Sequence, residues 1–111
     1  MRPTFVDIGP FRYRIIWERY VKDVNAHGAV DETMELLSAR ADHFSLEIHV
    51  CDQMHVDVQR KSLLHEIIHA CNWITGHGDA STEEQWVRSM AFPLLEVLRR
   101  NPRVTAFLLE H

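Results

Sequence analysis

The sequence predicts an α+β domain in which a small N-terminal β-sheet is packed by two main helices. In the first half of the chain apolar and polar residues alternate, whereas from about Asp57 the apolar residues recur with helical spacing. Strands followed by helices are typical of the α+β class. A length of 111 residues with 46% hydrophobic residues argues for one domain, 1–111, with its own core.

Two segments, 11–20 and 44–51, have the period of two that indicates half-buried strands. One face is apolar in each, formed by Phe11, Tyr13, Ile15 and Trp17 in the first and by Phe44, Leu46, Ile48 and Val50 in the second. We expect the other face to stay polar. The segment 21–42 has no clear period: a turn is expected at His27-Gly28, and 31–40 fits either a short helix or a strand with a loop.

Two long helices are predicted in the second half of the chain. The first runs from about Asp57 to Gly76, a residue type that accommodates a left-handed helix end. Its apolar stripe spans about 120° of arc and consists of Leu64, Ile67, Ile68, Cys71, Ile74 and Thr75. The second begins near Ser81 or Thr82 and ends near Arg100, with Val87, Met90, Ala91, Leu94, Val97 and Leu98 buried. Pro93 predicts a kink or a short irregular turn, and 103–109 predicts a short terminal helix.

Charge and composition exclude several classes of protein. The formal net charge is −4 and there is no long run of lysine and arginine, so no nucleic-acid partner is expected. No apolar run fits a signal peptide or a membrane span. Cys51 and Cys71 are too few and too far apart for a disulfide framework. We expect a cytoplasmic, reduced protein with structural thiols; its oligomeric state is not identified.

The sequence His65-Glu66-Ile67-Ile68-His69 predicts a zinc site. Two histidines four residues apart lie one turn apart on the same face of a helix, where both rings can reach one Zn²⁺. Glu66 then lies beside the ion as the general base for a water that zinc activates. On a helical wheel of the first predicted helix, both histidines lie at the border of the buried face. The alternative is two surface histidines beside an unrelated glutamate.

A catalytic zinc site needs a third protein ligand and leaves the fourth position to water. The extended metzincin motif is excluded, because Asn72 and Thr75 stand where it requires glycine and histidine. Spacing leaves His77, Glu83 and Glu84 open as ligands. Both glutamates also have a structural explanation, because Glu84 completes a helix capping box that starts at Ser81 and acidic residues favour helix N-termini.

The two predicted helices resemble those of the ImmA/IrrE-type HExxH peptidases, and more closely those of the small stand-alone metallopeptidases of phages and prophages. The resemblance covers about 59–102 and rests on Leu63-Leu64-His65-Glu66-Ile67-Ile68-His69-Ala70 and Glu84-x-x-Val87-x-x-Met90-Ala91-x-x-Leu94-Leu95. It implies a zincin-like fold, Glu84 as a gluzincin-like third ligand, and a phage-encoded protein in the host cytoplasm. Val87, Arg88 and Pro93 depart from the family pattern.

These observations predict a zinc-dependent peptidase, a hydrolase acting on a protein or peptide substrate, with a regulatory protein as a further expected kind of partner. Glu66 is the catalytic residue, and His65, His69 and Glu84 are the metal ligands. The strand at 44–51 is expected to pair with an extended substrate. Tyr13, Tyr20 and His77 are candidate donors to the reacting oxygen.

Two other functions fit the same residues. One is a zinc-binding protein-interaction module that does not cleave, and the other is a metal-free structural protein in which the motif is accidental. A second metal group, formed by His49, Cys51 and His55, is also conceivable from spacing. The sequence favours an exposed strand face as the explanation of those three residues.

Overall fold

The structure, a computed structural model, describes residues 2–22, 36–75 and 83–110, except for the side chains of 36, 83–85 and 87–89. It confirms an α+β architecture. Its elements are β1 (Phe5–Ile8), β2 (Phe11–Glu18), β3 (Val21–Lys22), β4 (Leu36–Leu37), β5 (Ala39–Asp42), β6 (Glu47–Cys51), α1 (Val56–Thr75), α2 (Glu83–Arg100) and α3 (Pro102–Leu109).

Four strands form a mixed sheet in the order β1-β2-β6-β5, and β3 pairs with β4 separately. β1 and β2 are an antiparallel hairpin, whereas β2 and β6 run parallel with Ile15 opposite Ile48. β5 returns antiparallel to β6, with Ala41 opposite Ile48. The predicted strand at 11–20 is confirmed as β2, and its polar side carries the exposed Arg12 and Arg14.

The strand predicted at 44–51 is wrong at its start and in one of its faces. Phe44 is 98% exposed and belongs to the turn that joins β5 to β6. The Asp42 carboxylate accepts the backbone N–H groups of Phe44 (3.0 Å) and Ser45 (3.1 Å), and this side-chain bonding favours a turn over a continued strand. The face expected to stay polar is instead covered, because His49 and Cys51 are both buried.

We expect acid to weaken this turn. Hydrogen bonds from the backbone and then the side chain of Ser45, followed by the Phe44 backbone and the charge of Arg40, hold the pKa of Asp42 below its ordinary 3.8 against the opposing effect of burial. A depressed carboxyl pKa adds stability that is present above the unfolded pKa and is lost as the pH falls through the folded pKa.

The stability of the parent is compared with that of Asp42→Asn, whose side chain keeps an acceptor oxygen but does not titrate. Urea unfolding should show the parent more stable by roughly 0.5–1 kcal/mol near pH 6, since the carboxylate is partly exposed. The two stabilities should converge once the pH falls below the folded pKa of Asp42. A constant difference across this range would contradict a role for the charged form.

β6 is an internal strand, which corrects a second expectation. It pairs with β2 on one side and with β5 on the other, so it offers no free edge to an extended substrate. The edges of the described four-stranded sheet are β1 and β5. Alternation of apolar residues cannot separate the two cases, because internal and edge strands share the same period.

Helix α1 packs its buried face on the sheet, but that face is rotated from the predicted one. Leu63, Ile67 and Ala70 are fully or almost fully buried, whereas Leu64 is only half-buried. The run Leu63-Leu64 makes either phase plausible on a wheel, and contacts with β5, β6 and α2 select one. Consequently Glu66 turns towards the core, whereas the flanking histidines are exposed rather than on the border.

Helix α2 continues through Pro93 without an irregular turn, so that part of the expectation is wrong. It ends at Arg100, and α3 follows as predicted. Asn101, between them, is 5% exposed and ties the helices to β1. Its Oδ1 accepts the Asp7 N–H (2.8 Å), and its Nδ2 donates to the carbonyls of Asp7 and Val97 (both 2.8 Å). No helix in the described ranges is long and apolar enough to cross a membrane.

Candidate metal centre

The two motif histidines lie side by side on the exposed face of α1. Their Nε2 atoms are 3.0 Å apart and their ring centroids 4.7 Å apart. With Zn–N bonds of about 2.05 Å, an ion held by both nitrogens at 3.0 Å would subtend roughly 95°. Tetrahedral geometry needs a separation of about 3.3–3.4 Å, which a small rotation of either ring supplies. The pair therefore fits the bidentate half of a zinc site.

Glu66 lies beside the pair but on the core side of the helix. It is 9% exposed, and its carboxylate has no hydrogen-bond partner among the residues that the structure describes. Burial raises its pKa, and positive charge on His69 and His65 opposes that rise. A buried carboxylate with a raised pKa is a stronger base than an exposed one, as a general base for water requires.

The structure does not test the third ligand. Glu84 lies in the first turn of α2, but its side chain and that of Glu83 fall outside the described part of the chain, as does all of His77. Within the described part, no group of three or more His, Cys, Asp or Glu side chains is arranged to hold a metal ion. The helix that carries Glu84 packs against α1. Two of the three predicted ligands are thus brought together, and Glu84 stays a prediction.

The structure does not bring His49, Cys51 and His55 together as a ligand group within the described residues. The His49 ring lies between two carboxylates, with Nδ1 2.7 Å from Glu18 and Nε2 3.2 Å from Glu47. The Cys51 thiol donates to a backbone carbonyl (3.3 Å), and His55 accepts a backbone N–H (3.1 Å). These side chains bond elsewhere, and the burial of His49 and Cys51 corrects the expectation of an exposed strand face.

His43 belongs to the same region and was missed by the sequence reasoning. It lies in the turn between β5 and β6 and stacks on Trp73, with ring centroids 5.1 Å apart and planes at 9°. Trp73 follows His69 by one helical turn. The His43 Nδ1 lies 2.9 Å from the Tyr13 hydroxyl. Nothing in the local sequence signals this contact, because it joins residues 30 positions apart.

Two of the candidate hydrogen-bond donors predicted from the sequence, Tyr13 and Tyr20, lie in different surroundings. Tyr13 is fully buried and its hydroxyl is engaged by His43. Burial, with smaller effects of Cys71 and Asp42, raises the pKa of Tyr13 to about 12, so the hydroxyl keeps its proton. Tyr20 is 56% exposed beside Arg19 and makes no hydrogen bond or ring contact with the motif in the described structure.

Both cysteines are free and buried, in agreement with their expected structural role. Cys71 lies two residues beyond His69 on the core side of α1. Burial raises the pKa of its thiol to about 11, although a backbone hydrogen bond acts in the opposite direction. It is therefore a protonated thiol at neutral pH.

Comparisons with protein-family models, with curated proteins and with solved structures gave no match to this chain.

Proposed function

We propose that this protein is a zinc-dependent peptidase that hydrolyses a peptide bond of a protein substrate, with Glu66 as general base for the attacking water. The observation that carries the proposal is the separation of 3.0 Å between the Nε2 atoms of His65 and His69, with a buried carboxylate next to them in sequence. The same separation also fits a hydrogen bond between the two rings, so the neighbouring buried carboxylate is what distinguishes this group from an accidental surface pair.

In this proposal zinc would be held by His65, His69 and Glu84, and when bound it would polarise the substrate carbonyl and activate water. Glu66 accepts a proton from that water and passes it to the leaving amine. Its low exposure keeps the carboxylate out of bulk solvent, which favours both transfers. The exposed faces of the two histidines leave the ligand side of the site open to a polypeptide.

We propose β5 rather than β6 as the edge along which an extended substrate pairs. α1 packs directly on β5, and in the described part of the chain β5 has a partner on one side only. The Cys51 N–H donates to the Ser38 carbonyl (2.8 Å). By the alternation of antiparallel pairs, the N–H and C=O groups of Ala39 and Ala41 then face outward.

The test is the zinc content per chain of the parent, Glu83→Ala and Glu84→Ala. We expect about one zinc in the parent and in Glu83→Ala, and a clear loss in Glu84→Ala, because a site that keeps only two histidines binds zinc weakly. Glu83→Ala is the matched control, since it removes the neighbouring carboxylate from the same helical turn. No zinc in the parent, even after supplementation, would end the proposal, whereas loss in Glu83→Ala alone would move the third ligand.

A further inference from the structure

We propose that His43 is a second polar group of this site, a hydrogen-bond donor to the carbonyl oxygen of the substrate that is held in place by Tyr13 and Trp73. The inference rests on the proposed function and assigns the donor that the sequence left open among Tyr13, Tyr20 and His77.

Three elements fix the His43 ring. The turn that carries it is closed by the Asp42 carboxylate, which accepts the backbone N–H groups of Phe44 and Ser45. One face of the ring lies parallel to the Trp73 indole at 5.1 Å. Its edge meets the Tyr13 ring at 79° and 5.9 Å, with the hydroxyl 2.9 Å from Nδ1. A side chain held from a turn, a helix and a strand is pre-organised as a donor needs to be.

The hydrogen bond to Tyr13 determines which ring nitrogen carries the proton. Tyr13 is fully buried and keeps its proton, and within the described residues the His43 Nδ1 is the only hydrogen-bond partner of its hydroxyl. A buried O–H must donate, so Nδ1 accepts. The neutral His43 ring then carries its proton on Nε2, and that N–H is left free to donate to a ligand.

The position of Trp73 places His43 beside the histidine pair. His65, His69 and Trp73 are spaced four residues apart on α1, so they form one row along the helix. Stacking on the last member of this row brings His43 to its end. Burial lowers the pKa of the His43 ring, the proximity of His69 lowers it further, and Asp42 opposes both effects.

His43 is distinct from the metal ligands. It does not form a ligand group with His65 and His69 in the described structure. With Nδ1 engaged by Tyr13, its Nε2 remains for a molecule held beside the ligand histidines. Negative charge develops on the carbonyl oxygen as water attacks, and a fixed N–H aimed at that oxygen stabilises the transition state.

The experiment measures binding of acetohydroxamate to the cobalt(II)-loaded protein by the visible absorption of cobalt. This small chelator presents a polarised carbonyl oxygen at the metal and needs no known substrate. Cobalt stoichiometry and the Kd for acetohydroxamate are determined for the parent, His43→Ala, His43→Gln and Tyr13→Phe. The matched control is His55→Ala, which removes an exposed histidine near the start of α1.

We expect unchanged cobalt stoichiometry in every variant and a Kd at least about tenfold higher in His43→Ala, the effect of losing a hydrogen bond to a charged group. His43→Gln, whose amide can still donate, should recover most of this loss. The Kd of Tyr13→Phe should fall between those of the parent and His43→Ala, because the His43 ring is still present but is no longer held in one tautomer and one orientation. His55→Ala should match the parent.

Two outcomes would overturn the inference and leave the proposed function standing: an unchanged Kd in His43→Ala, or loss of cobalt from that variant and from His43→Gln while both still unfold cooperatively. Absence of cobalt from the parent would overturn both proposals together.

Discussion

Glu66→Gln should keep zinc and lose peptide-bond cleavage by about a hundredfold or more, the usual contribution of a positioned general base. Glutamine fills the same space on the core side of α1 but accepts no proton from water. The measurement is the appearance of new termini, followed by mass spectrometry, when the zinc-loaded protein is incubated with a mixed peptide library. Zinc content is determined on the same samples, so that loss of base and loss of metal are separated.

Asp57→Asn is the matched control, since it removes a carboxylate from the exposed first turn of the same helix. It should cleave as the parent does. Metal-free Glu66→Gln should also be at least as stable as the metal-free parent, because it removes a charge from a side chain only 9% exposed. Equal cleavage by the parent and Glu66→Gln would contradict the catalytic assignment. A parent that holds zinc and binds a partner without cleaving it, unaffected by this substitution, would instead be an interaction module.

His69→Ala should lower zinc affinity by more than about a hundredfold, a larger loss than that expected for outer-shell partners. The remaining Nε2 of His65 loses the neighbour that lies 3.0 Å away, so chelation by the helix is abolished. Zinc per chain after gel filtration should drop from about one to near zero. His65→Ala should behave alike, and His55→Ala should not change the zinc content.

The same variants link the metal to stability. At a free zinc concentration of 100 times the Kd, binding stabilises the folded state by about 2.7 kcal/mol. A chelator should therefore lower the thermal midpoint of the parent and leave that of His69→Ala unchanged. A parent whose stability and zinc content do not respond to the chelator would be a structural protein in which the motif is accidental.

The sequence predicted what depends on local periodicity. The bounds of α1 and α3 agree with the structure to about one residue, and β2 has the buried face expected from Tyr13 and Ile15. The spacing of the motif histidines alone placed them side by side. These features follow from geometry within one element, which a single sequence contains.

The features that were missed depend on contacts between elements. The phase of α1 follows from what packs against Leu63 and Leu64, and it decides that Glu66 is buried. The place of β6 between two partners depends on a parallel pairing with a strand about 30 residues earlier. His43 was missed for the same reason, because its partners Tyr13 and Trp73 come from other elements.

The two buried thiols make the opening of this protein measurable. Cys71 lies on the face of α1 that covers the sheet, whereas Cys51 lies on the opposite face of β6. A reagent such as DTNB reaches a buried thiol only when its surroundings open, so the labelling rate reports the free energy of that opening. In single-cysteine variants, the labelling rate of Cys71 would report the separation of α1 from the sheet. The labelling rate of Cys51 would report exposure of the opposite face of the sheet. An ion that bridges successive turns of α1 would slow the labelling of Cys71 and leave the labelling rate of Cys51 unchanged.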